Sequence, residues 1–287
     1  MKSKQKSLFS GTITQEEIWG AVEKSRHPQR PYTLDYIKNI FSEFEELHGD
    51  RCFGDDPSMI AGIGKLKASG SHKKELSVFF LGHQKGRNTK EKILRNFGMA
   101  KPEGYRKACR VFELAERFKR PLLTFIDTPG AYPGVGAEQR GQSEAIGFSI
   151  GKMLECNVPT IACVIGEGGS GGALAIGVSD ILLMMQNSTY SVISPESCAA
   201  ILWSTAAEAK KAALSLKPRA EDVYKIGLCD EVIPEKGDGA HENIELASKI
   251  LLEKIRNHFA KLIKTPQATR MKNRFDRYRD FDKIFLS

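Results

Sequence analysis

Hydrophobic positions along this chain follow a helical period near both ends and a two-residue period in the middle. Residues 1–30 are polar and lysine-rich. Within them Thr14-Gln-Glu-Glu has the form of a capping box, which predicts a short helix over Thr14–Lys24. Pro28 and Pro31 close this N-terminal arm. Next, Leu34, Ile37, Ile40, Phe41, Phe44 and Leu47 recur at helical spacing, predicting one amphipathic helix across Thr33–Leu47. From Ile60 the period shortens, so Ile60–Leu66 and Leu76–Gly82 read as strands joined by the polar segment Lys67–Lys74. Helix Glu103–Phe118, strand Pro121–Asp127, helix Gly136–Glu155 and strand Pro159–Ile165 come next, and strand Ile181–Met185 follows only a short helix. Strands alternating with helices predict an α/β fold, with a mostly parallel sheet covered on both faces. Ala206–Leu216 reads as an outer helix, Asn243–Ile263 as a long amphipathic one, and the basic, aromatic stretch Arg270–Phe285 as a docking tail. The expected organisation is an arm over 1–30, one main domain over 31–260 and a basic tail over 261–287.

Composition narrows this only a little. A chain of 287 residues, 41% of them hydrophobic, can bury a full core. Its formal charge of +8 suits anionic partners: nucleotides, coenzymes, acidic protein surfaces or nucleic acid. The six cysteines (52, 109, 156, 163, 198 and 229) include no C-x-x-C pair. Neither a zinc ribbon nor a short disulfide framework is indicated, and a reducing cytoplasm is the expected location. No apolar run is long enough for a signal peptide or a membrane span, so a soluble protein with no membrane partner is expected.

Candidate chemistry gathers where strands end. The run Val164-Ile-Gly-Glu-Gly-Gly-Ser-Gly-Gly-Ala-Leu-Ala-Ile-Gly177 carries five glycines in seven positions, from Gly166 to Gly172. It reads as strand, tight turn and buried helix, with main-chain N–H groups at the helix start suited to negative charge. Gly166, Gly168 and Gly171 satisfy G-x-G-x-x-G, but the motif sits mid-chain and Asp180 comes too early to be the ribose partner of a dinucleotide fold. Gly168, Ser170 and Gly172 satisfy G-x-S-x-G, which would need His241 or His258 to complete a triad. A Walker A loop fails, because no Lys-Ser/Thr follows the glycines. Close packing of helix on strand is the plain alternative to all three. The second loop, Asp127-Thr-Pro-Gly-Ala-Tyr-Pro-Gly-Val-Gly136, follows the preceding strand, placing two ligand-permissive loops on one sheet edge. Asp127 reads as the cap of its own turn. Lys85, Arg87, Lys90, Lys92 and Arg95 lie on a segment expected to be a basic loop, able to hold phosphates or simply to face solvent.

These residues resemble a known family. The segments His27-Pro-Gln-Arg-Pro-Tyr-Thr-Leu-Asp35, Gly82-His-Gln-Lys-Gly-Arg87, Arg95-Asn-Phe-Gly-Met99, Pro102-Glu-Gly-Tyr-Arg-Lys-Ala108, Phe125-Ile-Asp-Thr-Pro-Gly-Ala-Tyr-Pro-Gly-Val-Gly-Ala-Glu138, Gly141-Gln-Ser-Glu-Ala-Ile146, Gly166–Gly177 and Ser188-Thr-Tyr-Ser-Val-Ile-Ser-Pro-Glu196 are similar to those of the alpha subunits of bacterial acetyl-CoA carboxylase carboxyltransferase, in the crotonase-like superfamily. The likeness spans residues 27 to about 234. Two departures are the short stretch before His27 and Ser197 where the family pattern has Gly.

The resemblance implies a crotonase-like (ClpP/crotonase) spiral of βαβ units over 31–260. It implies transfer of a carboxyl group from carboxybiotin to acetyl-CoA, giving malonyl-CoA in the first committed step of fatty acid synthesis. It further implies an alpha2-beta2 assembly with a carboxyltransferase beta subunit that holds the acyl-CoA and bears a zinc ribbon, leaving no metal in this chain. Biotin would arrive on a separate biotin carboxyl carrier protein charged by biotin carboxylase, since no Met-Lys-Met acceptor motif occurs here. By the family pattern the main chains of Gly172 and Ala173 form the oxyanion hole. Gly168, Gly169 and Gly171 shape the turn, while Gly130, Ala131, Gly134 and Val135 line the facing wall. A serine hydrolase using Ser170 and a non-catalytic binding scaffold remain the two alternatives.

Overall fold

The computed structural model describes residues 14–280. The first part of the expected arm and the end of the expected tail lie outside the described residues. In chain order the elements are α1 (Gln15–Ser25), α2 (Thr33–Ile40), β1 (Phe41–Glu46), β2 (Met59–Leu66), β3 (Leu76–His83), α3 (Thr89–Leu94), α4 (Pro102–Arg117) and β4 (Leu122–Thr128). They continue with α5 (Val135–Gln139), α6 (Gln142–Glu155), β5 (Thr160–Gly169), α7 (Ser170–Leu174), β6 (Ile181–Met185), β7 (Thr189–Ser191) and α8 (Pro195–Trp203). Last come α9 (Ala209–Leu216), α10 (Ala220–Lys225), β8 (Glu231–Ile233), α11 (Ile244–Lys264) and α12 (Gln267–Arg279).

One mixed sheet organises them, in the order β1-β2-β3-β4-β5-β6-β8, with β7 paired to the end of β5. The first two pairings are antiparallel and the rest parallel. Strand alternation sends Phe79 and Leu81 to one face and Val78 and Phe80 to the other. On the first face Tyr105 and Phe112 of α4, Met153 of α6 and Ala173 of α7 build a core. On the second, Tyr36 and Ile37 of α2 pack with Leu251, Ile255 and Phe259 of α11. Both faces are covered, as a largely parallel sheet requires.

Three expectations need correction. The helix expected over Thr33–Leu47 stops at Ile40, and Phe41–Glu46 pairs with β2 as a strand. The register shifts between Phe41 and Glu43, and such a bulge turns a three-residue apolar spacing into one a strand can use. Partner glycines make room for it: a Cβ at Gly64 would stand 2.5 Å from the Phe41 ring. The helix expected over Gly136–Glu155 is two helices, broken where Gly141 takes a φ of +79°. The glycines expected to form a tight turn after Ile165 instead prolong β5 to Gly169, where they pair with Thr189, Tyr190 and Ser191 of β7.

The first and last described helices pack on this body. Thr14 caps α1 through the expected capping box, and Ile18 and Val22 bury against Ala213 of α9. In the stretch expected as a tail, α12 inserts Arg274, which is 1% exposed. Its guanidinium donates to the carbonyls of Met153, Leu154, Cys156 and Val158 and pairs with Asp180 at 2.8 Å. One side chain thus donates to carbonyls at and just beyond the C-terminal end of α6.

Candidate active site

β4 and β5 run parallel, and Thr128 stands beside Gly168, so the chain segments leaving these strands meet at one sheet edge. Steric room explains the glycines there. A Cβ at Gly166 would lie 2.3 Å from Asp127 Oδ1, one at Gly168 2.4 Å from the Tyr190 ring, and one at Gly169 2.2 Å from the Pro129 carbonyl oxygen. At Gly172 it would lie 2.7 Å from the Gly130 carbonyl carbon and 2.8 Å from the Ala131 nitrogen. No side chain fits at such distances, so Gly166 and Gly168 admit the Asp127 carboxylate and the Tyr190 ring, while Gly169 and Gly172 let two main chains touch. Gly171 is looser, its nearest neighbour being Ile146 at 3.4 Å. Of the expected wall, Gly130 and Ala131 thus meet Gly172. Gly134 packs on its own neighbour Tyr132, and Val135 is 73% exposed.

Ser170 makes the turn between β5 and α7 with a φ of +54°. α7 has no side-chain cap. Among the described residues, the amides of Gly171, Gly172 and Ala173 donate to no side chain and to no carbonyl outside their own helix. N–H groups at a helix start without partners are suited to an oxygen anion. Gly172 and Ala173 are buried, while Ser170 is exposed and its hydroxyl has no partner among the described residues.

Charged side chains anchor this edge from below. Lys85 Nζ lies 2.8 Å from both Asp127 Oδ1 and Glu167 Oε2. Arg26, just after α1, reaches Glu167 at 2.6 Å and also pairs with Glu196 of α8. Burial alone would lower the Lys85 pKa, but the two carboxylates outweigh it and hold the ammonium above its usual range. Burial likewise works against Glu167, yet Lys85 and Arg26 keep its carboxyl below the usual range. Asp127 therefore does not cap its own turn as expected: it receives the Glu167 amide and the Lys85 ammonium. Thr128 caps instead, its hydroxyl accepting from the Gly130 amide and donating to the Gly130 carbonyl. Glu167, Gly168 and Gly169 line a cleft with Arg26, Pro129 and Ser194.

The expected basic loop is mostly engaged within the chain. Lys85 belongs to the site, Arg87 binds the carbonyls of Pro28 and Arg30 and lies over the Tyr32 ring, and Arg95 binds the Pro57 carbonyl. Lys90 and Lys92, on α3, face solvent, and Arg87 is itself exposed while making those contacts. Among the described residues neither downstream histidine is hydrogen-bonded to Ser170: His258 pairs with Glu231, and His241 stacks on His27.

Sequence reasoning missed His83. It is fully buried, and neither ring nitrogen has a hydrogen-bond partner in regular geometry. An unsatisfied buried polar group costs about 1–3 kcal/mol. Burial, and then the nearby Lys85 charge, push its pKa down to about 3, so the imidazole is neutral. A histidine closing an apolar strand was the available signal. Among the described residues no group of three or more His, Cys, Asp or Glu is placed to hold a metal ion, and no helix is long and apolar enough to cross a membrane.

Comparison with solved structures defines the class. Transcarboxylase 12S, solved with methylmalonyl-coenzyme A, superposes with a TM-score of 0.65 at 16% identity, over 89% of this chain and 46% of that one. The beta subunit of P. aeruginosa geranyl-CoA carboxylase gives 0.61 at 18%, over 90% of this chain and 47% of that one. A Pseudomonas malonate decarboxylase hetero-tetramer in complex with coenzyme A gives 0.64 at 17%, over 84% and 91%. The chain thus spans about half of the two longer proteins, and at these identities what it shares with all three is the crotonase-like fold. Sequence is more specific. The family model described as acetyl co-enzyme A carboxylase carboxyltransferase-like matches residues 1–282. The acetyl-coenzyme A carboxylase carboxyl transferase subunit alpha of Stutzerimonas stutzeri is 52% identical over 92% of this chain and 82% of its own length. That of Xanthomonas campestris pv. campestris is 54% identical over 92% and 80%. The chain belongs to this family of carboxyltransferase alpha subunits.

Proposed function

We propose that this chain forms the biotin-binding side of a two-subunit active site that moves a carboxyl group from carboxybiotin to acetyl-CoA, giving malonyl-CoA for fatty acid synthesis. One observation carries the site assignment: the uncapped amides of Gly172 and Ala173 open α7 at the point where Gly172 lies on Gly130 and Ala131. When bound, carboxybiotin supplies the carboxyl group, and its ureido oxygen takes up negative charge as that group leaves.

The amides of Gly172 and Ala173 face that charge as fixed donors, and removing one such donor costs about 2.7–4 kcal/mol of barrier. Gly168, Gly169 and Gly171 shape the approach, while Gly130 and Ala131 form the opposite wall, with Gly134 and Val135 farther along the same loop. Lys85, Asp127, Glu167 and Arg26 hold the strand end so that the amides need not reorganise during reaction. Ser170, without a base, serves as the turn residue. A carboxyltransferase beta subunit in an alpha2-beta2 assembly would bring acetyl-CoA and the zinc site. A biotin carboxyl carrier protein, charged by biotin carboxylase, would bring biotin in the cytoplasm.

The family's shared naming and the carboxyltransferase folds of its structural neighbours support this reading. It is tested by biotin-dependent malonyl-CoA turnover, measured for the chain alone and after mixing with a beta subunit from a family relative. Activity only in the mixture is expected. Turnover by the chain alone, or covalent labelling of Ser170 by a fluorophosphonate, would overturn the reading.

A further inference from the structure

The imidazole of His83, buried and without a hydrogen-bond partner among the described residues, closes β3 at the same end of the sheet where parallel β4 and β5 lead to the amides just described. In β3, Leu81 points to the first core face, and alternation sends His83 to the same face, where Ala173 of α7 is also buried. The acceptors its ring faces are the main-chain carbonyls of Gly172 and Phe125. The imidazole is neutral, so it carries one N–H and can donate to one of them. The Gly172 carbonyl and the Ala173 N–H belong to a single peptide group, and a donor on its oxygen strengthens its N–H as a donor.

We infer that His83 is a positioning residue that holds and polarises the Gly172–Ala173 peptide so that the Ala173 amide meets the oxyanion at full strength. This rests on the proposed oxyanion role of Gly172 and Ala173. His83 touches neither substrate nor reacting atoms; its effect passes through one peptide bond. The placement also accounts for a polar ring at a fully buried position, since phenylalanine would fill the same space and donate nothing.

The test uses the chain assembled with its beta subunit and two variants, His83→Phe and His83→Gln, each checked for folding by circular dichroism and for assembly by gel filtration. His83→Phe is expected to lower kcat roughly tenfold with KM for a biotin substrate unchanged, and His83→Gln, which keeps a donor, to recover most of that loss. In the ligand-free chain the Ala173 amide proton should shift upfield in His83→Phe and much less in His83→Gln. Equal losses in both variants, or full kcat in His83→Phe, would overturn the proposal by showing a packing role alone. The underlying site is judged separately: if adding biocytin leaves the wild-type Ala173 amide unmoved, the oxyanion assignment itself fails.

Discussion

The segments leaving β4 and β5 are both glycine-rich and end at the same sheet edge, yet they are held by different means. Residues 166–172 are seated by absence: four of their glycines lie where any Cβ would strike a neighbouring main chain, carboxylate or ring. The β4 loop is tethered from outside by side chains. Gln142 binds the Tyr132 and Ala100 carbonyls, Arg140 binds the Gly136 carbonyl, and Arg106 binds the Arg140 carbonyl. Glu103 joins the two arginines, and Asp50 holds Arg106 at 2.8 Å. The end of β5 is held because no side chain can enter it, the β4 loop because several side chains reach over to it. Glycine content by itself separates neither case.

Lys85 is where the two meet, so its replacement should have the largest effect. Lys85→Met leaves Asp127 and Glu167 without their shared cation and is expected to cost about 3–5 kcal/mol in urea unfolding. A cost below about 1 kcal/mol would show that the loops are not tied through it. Gly172→Val forces side-chain carbons onto Gly130 and Ala131, so turnover should fall on the order of a hundredfold to a thousandfold. Because the clash is with main chain, a lower melting temperature should accompany it, and a variant of unchanged stability would contradict the packing described.

Asp50 tests the tethered loop. Burial would raise its pKa, but the amides of Cys52, Phe53 and Gly54 together with Arg106 outweigh it and hold the carboxyl at about 2. Its stabilising contribution is therefore complete above the unfolded value near 3.9, and is lost as pH falls from about 4 to about 2. Asp50→Asn should cost about 1–3 kcal/mol at neutral pH, with the gap from wild type closing across that window. A gap independent of pH would exclude the carboxylate as its source. The smallest effect is expected for Ser170→Ala, whose turnover should stay within about twofold of wild type, because the catalytic groups proposed are main-chain amides. A hundredfold loss would restore the hydrolase alternative.

Much of the architecture was readable from residue pattern because each element buries a face. The strands Ile60–Leu66, Leu76–Gly82 and Ile181–Met185 and the helix Asn243–Ile263 stand within one or two residues of their expected bounds. Misreadings fell where a neighbour overrode the local pattern. Phe41, Phe44 and Leu47 keep helical spacing, but the bulge against β2 makes the first two parts of a strand. Gly166–Gly169 have turn composition, but β7 and the Asp127 carboxylate, both distant in sequence, draw them into an extended strand. Arg274 sits in a basic run with no apolar stripe to announce burial, and the carbonyls at the end of α6 together with Asp180 explain its place.

The amino-acid sequence alone determined the α/β class, the family, and the two glycine-rich segments at neighbouring strand ends, because period and composition are properties of adjacent residues. Only the tertiary structure decided that Lys85 joins those segments, that Gly172 rests on Gly130, and that His83 is buried with neither ring nitrogen hydrogen-bonded. Those contacts cross between strands and helices far apart in the chain, and such pairings are set by packing, which no local pattern records.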